Sequence, residues 1–115
     1  MGATVLDAGS AVQSGLHLYA HCQSGAPGGV SLLVINTHRA APHALRFPAV
    51  SVRYTLSAEN PEDVDVRLNG QPLQLGSGDR LPQLAGVPAA AGTVTFAPAT
   101  ITFLAAAAAG NDACR

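Results

Sequence analysis

Short runs of apolar residues, separated by glycine and proline, organise this chain. In 16–22, Leu16, Leu18, Ala20 and Cys22 alternate with His17, Tyr19 and His21, and a period of two predicts a strand with two unlike faces. The segment 23–29 carries Gly25, Pro27, Gly28 and Gly29 and continues neither a helix nor a strand. The next run, 30–36, is almost wholly apolar and rich in β-branched residues, the pattern of a central strand covered on both faces. Residues 45–47 and 50–56 are shorter strands divided at Pro48. The sharpest local signal lies in 64–75, where Asn69-Gly70 separates two alternating runs. A type I′ hairpin turn needs φ > 0 at both central residues, and this pair tolerates it. Pro72 has no N–H to donate, so either its strand lies at a sheet edge or the proline sits outside the ladder. Between 81 and 98, broken by Pro82, Pro88, Gly92 and Pro98, only 93–96 reads as strand, and 100–104 is the last strand.

The alanines of 105–109 favour helix by intrinsic propensity. Helices shorter than about 12 residues are marginal alone, so this run reads as the tail of the last strand. No amphipathic helix appears elsewhere. Short strands with Gly/Pro turns predict an all-β fold, an antiparallel β-sandwich. With 115 residues, the span 1–115 is a single domain large enough to bury a core.

Apolar residues make up 48% of the chain and charged residues 11%, which excludes a disordered tail. All 6 basic residues are Arg, spread from Arg39 to Arg115, and the net charge is −1. Nucleic-acid binding normally needs clustered Lys/Arg, so no nucleic-acid partner is expected. The absence of Lys beside abundant Ala, Gly, Arg and Pro matches GC-rich coding and points to a bacterial source. The longest apolar stretch, near 101–109, falls well short of the roughly 20 residues that cross a bilayer, so no membrane partner is expected. The first residues show neither a basic n-region nor an apolar h-region; an export signal would lie upstream.

Few residues suggest chemistry. Glu59, Glu62, Asp63 and Asp65 surround Pro61 in a polar turn, with no apolar run to raise a pKa, and read as a solvated loop. His17 and His21 stand about 13 Å apart at roughly 3.3 Å per residue on a strand, too far to share a metal. His38 and His43 flank a loop. His21 and His38 could meet across neighbouring strands, where structural hydrogen bonding is favoured over ligation. Ser10, Ser14 and Ser24 lack a nucleophile-elbow motif. Gly25 to Gly29 lacks the lysine and helix of a phosphate loop. No metal or cofactor is expected. Cys22 and Cys114 lack CxxC spacing and are either disulfide partners or reduced, buried thiols.

The ordered series Leu18-Tyr19-Ala20-His21-Cys22, Leu33-Val34-Ile35-Asn36-Thr37-His38, Arg53-Tyr54-Thr55-Leu56 and Val66-Arg67-Leu68-Asn69-Gly70 resembles the C-terminal region of heparanases. So does the tail, with Leu81-Pro82-Gln83-Leu84, Pro88, Gly92, Pro98, Phe103 and Ala113-Cys114. The resemblance covers essentially the whole chain and rests on the order of these short matches. It implies the accessory sandwich of a glycoside hydrolase of family 79, joined to a (β/α)8 barrel. In that family two barrel glutamates, with carboxyl groups roughly 5 Å apart, perform retaining hydrolysis. The implied activity is endo-β-glucuronidase cleavage of heparan sulphate-type glycans, with glycan held by the barrel and none of the catalytic carboxylates in this chain. The implied partners are the barrel and N-terminal strands of the same enzyme, which complete the sandwich, in a secreted or periplasmic protein. The family's C-terminal disulfide falls on Cys22 and Cys114. Two other readings are a stand-alone carbohydrate-binding or adhesive sandwich, disfavoured by the lack of Trp, and the accessory sandwich of an exo-β-glucuronidase or arabinofuranosidase.

Overall fold

A computed structural model describes residues 1–6, 15–58, 60, 65–74, 76–80 and 84–115. Ser10, Ser14, Glu59, Glu62, Asp63 and the segment 81–83 lie outside the described residues. Among the described residues ten strands are formed: β1 (Val5–Leu6), β2 (Leu16–Cys22), β3 (Val30–Asn36), β4 (His43–Phe47), β5 (Ser51–Ser57), β6 (Arg67–Leu68), β7 (Gln71–Pro72), β8 (Val87–Ala89), β9 (Gly92–Phe96) and β10 (Thr100–Ala106). Among the described residues there is no α-helix, only two 3-10 turns at Ser77–Asp79 and Asp112–Cys114. The chain is an all-β antiparallel sandwich.

The larger sheet runs β1-β2-β3-β10-β5-β6-β7, with β8 sharing the outer edge of β5 beside β6. The smaller sheet is the pair β4-β9, laid over one face of the larger. The expected strands at 16–22 and 30–36 form with those bounds. The last strand runs on through Ala105 and Ala106 before turning at Ala107, so the alanine run is partly strand tail. β1 and β8, of two and three residues, carry too little pattern to be read from sequence.

Directly opposed residues share a face, so the register fixes what lies inside. One inner row is Leu18, Val34, Thr102 and Thr55; the next is Ala20, Leu32, Leu104 and Arg53. Leu16, Val34 and Leu104, nearly fully buried, pack against Val94 and Phe96 of β9, with Leu45 and Phe47 of β4 beside them. Asn36 joins the two sheets at one end. Its Nδ2 donates to the carbonyls of Ala41 at 3.1 Å and of Phe96 and Ala97 at 3.2 Å, and its Oδ1 accepts from His38 N at 3.1 Å. Two N–H donors shared among three carbonyls and one filled acceptor explain how an amide sits in the core.

The hairpin reads as expected. Asn69 takes φ 49° and Gly70 φ 82°, both left-handed, between the pairs Leu68–Gln71 and Arg67–Pro72. Pro72 lies on the last strand of the sheet, where its missing N–H costs nothing.

A clasp holds the chain ends. Cys22 and Cys114 form a disulfide across a separation of 92 residues, with Cα atoms 5.3 Å apart. Gly28 N donates to Cys114 O at 2.7 Å, and Asn111 N donates to Gly28 O at 2.9 Å. The glycine-rich turn is therefore a seat for the C-terminal tail: a side chain on Gly29 would stand 2.9 Å from Ala26 O and 3.2 Å from Ala107 Cα.

Two outcomes follow. Thiol titration of the unfolded, unreduced chain finds no free thiol, and reduction lowers unfolding free energy in urea by about 2–5 kcal/mol, the usual cost of losing a native disulfide. Leu104→Ala, at a position of 0% exposure in the middle strand, costs about 2–5 kcal/mol in the same measurement.

Candidate functional site

The two faces of the larger sheet are unlike in an unexpected sense. On β5 the inner positions are Ser51, Arg53, Thr55 and Ser57, while Val52, Tyr54 and Leu56 point away from the smaller sheet. The outer face continues across β10 with Ile101 and Phe103 and across β3 with Leu33 and Ile35. Tyr19, Leu33, Phe103 and Tyr54 make one outer row; His17, Ile35, Ile101 and Leu56 make the next. Three strand spacings by about five residues span roughly 240 Å² of sheet face, within the few hundred Å² that contiguous apolar patches on soluble monomers reach.

This corrects the expectation for 30–36. β3 is central, between β2 and β10, yet among the described residues only one of its faces is covered, and Leu33 and Ile35 remain half-exposed. An apolar run signals cover on two sides without saying which molecule supplies the second. Val52 at 37%, Ile101 at 39% and Tyr19 at 51% exposure mark the open face most clearly. At its β3 end it deepens into a groove of about 460 Å³ lined by Ile35, Leu56, Val66, Ile101 and Arg39.

The polar inner face of β5 is satisfied locally at Arg53 and Thr55, whereas the buried Ser51 hydroxyl finds no partner among the described residues. Arg53 Nε donates to Thr55 Oγ1 at 2.9 Å, one Nη donates to Thr95 O at 2.8 Å, and its guanidinium stands 5.3 Å from the Phe96 ring centroid. Thr55 and Thr102 hydroxyls meet at 3.2 Å. Burial pulls the Arg53 guanidinium below its ordinary value, but an arginine keeps its charge throughout the neutral range. Arg53 thus ties β5 to β9 and replaces an apolar plug in that part of the core.

The smaller sheet has only two strands, so β4 and β9 each present an unpaired edge among the described residues. Beside β4 a slot of about 230 Å³ opens between the sheets, lined by Leu6, Leu18, Leu32, Leu45 and Phe47.

The titratable candidates do not converge. His17 is exposed on the outer face, and His21 Nδ1 lies 2.8 Å from Gly2 O. His21 and His38 do not meet: His21 is opposite Ser31, whereas His38 follows Asn36 at the far end of β3. The straight, full-length pairing of β2 with β3 keeps them apart. His38 instead lies against His43, ring centroids 5.0 Å apart. Asp65 and Ser24 are exposed. No group of three His, Cys, Asp or Glu among the described residues is placed to hold a metal ion. No helix among them is long and apolar enough to cross a membrane.

Sequence reasoning missed the outer face and Arg53. The signal was present in 50–56, where Val50, Val52, Tyr54 and Leu56 alternate with Ser51, Arg53 and Thr55, but alternation alone does not say which set faces the core.

No protein-family model matches this chain, and neither does any curated protein. Fold and surface together define a disulfide-closed, antiparallel β-sandwich with one apolar sheet face that no described residue covers.

Replacing Ile101 by Thr together with Phe103 by Ser costs about 1–3 kcal/mol, because Ile101 is exposed but Phe103 is half-buried. The same pair lowers the fluorescence of an apolar dye added to the chain, because the exposed patch is broken.

Proposed function

We propose that this chain is the C-terminal accessory sandwich of a secreted, heparanase-like glycoside hydrolase, whose barrel performs the hydrolysis. The observation that carries the reading is the outer face of β3, β10 and β5, which no described residue covers. A sheet whose outer rows hold Leu33, Ile35, Tyr54, Leu56, Ile101 and Phe103 is built to lie against another body. A catalytic barrel of the same chain is the partner that the heparanase resemblance supplies. The formed Cys22–Cys114 bridge agrees with the same resemblance and with an oxidising compartment. The unpaired β4 edge and its apolar slot suit a strand from the N-terminal part of the enzyme. In this reading the substrate is a glucuronic-acid-containing glycan bound in the barrel, and the sandwich sets the barrel's stability and the far wall of its cleft.

One observation favours a second reading. Tyr19, Phe103 and Tyr54, three of the chain's five aromatic residues, lie in one row of the open face. Tyr19 and Tyr54 are about 14 Å apart at three strand spacings, a flat arrangement on which sugar rings could stack. That would make the chain a carbohydrate-binding module.

The purified 115-residue chain cleaves no heparan sulphate, as followed by product size. Cleavage by the chain free of a barrel overturns the assignment of catalysis elsewhere. The chain also binds apolar dye and self-associates, and the Ile101→Thr, Phe103→Ser pair suppresses both. A monodisperse monomer without dye binding, which retains glycan in affinity electrophoresis and loses it on Tyr19→Ala, selects the second reading.

A further inference from the structure

We infer that Asn69 is a deamidation site whose chemistry is gated by the fold and whose product opens the edge of the larger sheet. β5 is paired on its outer edge by two separate strands. β6 covers Leu56 and Ser57, and β8 covers Ser51 to Arg53. Between them the backbone turns away at Asn69-Gly70, and the Asn69 side chain takes the place of the missing strand. Its Oδ1 accepts from Thr55 N at 2.9 Å, and its Nδ2 donates to Arg53 O at 3.1 Å and to Ala85 O at 3.3 Å. Its own N donates to Thr55 O at 2.8 Å. One primary amide thus splices β6 to β8 along β5.

The same residue precedes a glycine. In an Asn-Gly pair the backbone nitrogen of the glycine, once deprotonated, attacks Cγ of the asparagine. The new N–Cγ bond closes a succinimide as the Cγ–Nδ2 bond breaks and ammonia leaves. Water then opens the ring at either carbonyl, giving aspartate or isoaspartate; the net change is water in and ammonia out. Gly70 is exposed, and an atom added at its Cβ position would meet nothing within 4 Å, so water has free access. Access is not the barrier. The side-chain amide must leave three hydrogen bonds and rotate onto Gly70 N, which requires the β6–β7 hairpin to come off β5. The folded edge therefore suppresses a reaction that the unpaired turn favours.

Once formed, aspartate still accepts from Thr55 N but has no hydrogen to give Arg53 O or Ala85 O. It sets a negative charge against two carbonyl oxygens that have lost their donors. Isoaspartate adds a backbone atom to a two-residue turn. Either product leaves β6 and β8 unspliced, so a single opening that ends in reaction is not reversed. The inference rests on these hydrogen bonds alone and stands whichever body covers the outer face.

Trypsin cuts after Arg67 and Arg80, so the peptide 68–80 isolates the site for mass spectrometry. The chain is aged at neutral pH beside the synthetic peptide 68–80 in the same buffer. Deamidation in the folded chain is expected to be at least about tenfold slower than in the free peptide, as for a reaction that needs local opening. Equal rates overturn the gating. The deamidated fraction, separated from the aged chain by its added negative charge, is then compared with the intact fraction by hydrogen exchange. Loss of protection at the amides of Thr55 and Asn69 is expected; unchanged protection overturns the role of the amide as splice.

Discussion

The last strand of the chain is the middle strand of the larger sheet, and the rest of the structure depends on that insertion. β10 pairs with β3 over seven residues and with β5 over five. Without it the sheet falls into two fragments with unpaired inner edges, and Leu104 and Thr102, both at 0% exposure, leave the core. The N-terminal half therefore cannot reach its final pairing until residues near the C-terminus arrive. Such non-local closure is entropically costly and slow. The Cys22–Cys114 bridge lies at the end of the strands β10 joins, where Cys22 opposes Val30 and Val30 opposes Ala106. It shortens the search that this topology imposes on the unfolded chain.

Given a fixed centre, the register sorts side chains into two faces with no freedom left, because a slip of one residue would exchange them. The inner face grades from apolar at β2 and β3 to polar at β5, and Arg53 fills space where a leucine would be ordinary. The outer face grades the other way and is most apolar over β3, β10 and β5. A single sheet with an apolar layer on both sides is the middle layer of a three-layer arrangement. The smaller sheet supplies one cover; on the reading proposed above, a barrel supplies the other.

Two asparagines perform work that backbone normally does. Asn36 bridges the ends of β3 and β9, and Asn69 bridges β6 and β8. In each case an amide, carrying both donor and acceptor, matches the pattern of a peptide group. These are the places where strands stop short of one another and a buried or half-buried backbone group needs a partner. Two polar residues thus let a sandwich of short, interrupted strands close its ladders.

The sequence by itself determined the longer strands, the hairpin at Asn69-Gly70, the exclusion of Pro72 from a central ladder and the all-β class. Each of these follows from local chemistry: period two, positive φ, or a missing N–H. It also placed two cysteines near the chain ends, and their pairing was expected only through resemblance to heparanases. The tertiary structure alone decided that β10 enters the centre of the sheet, that Val52, Tyr54 and Leu56 face outward, and that Arg53 faces inward. It also decided that His21 and His38 stand at opposite ends of their strands. Alternation along one strand is symmetric between its two faces. Only the partners that pairing brings alongside, often 50 or more residues away as Arg53 is from Leu104, break that symmetry and choose the inside.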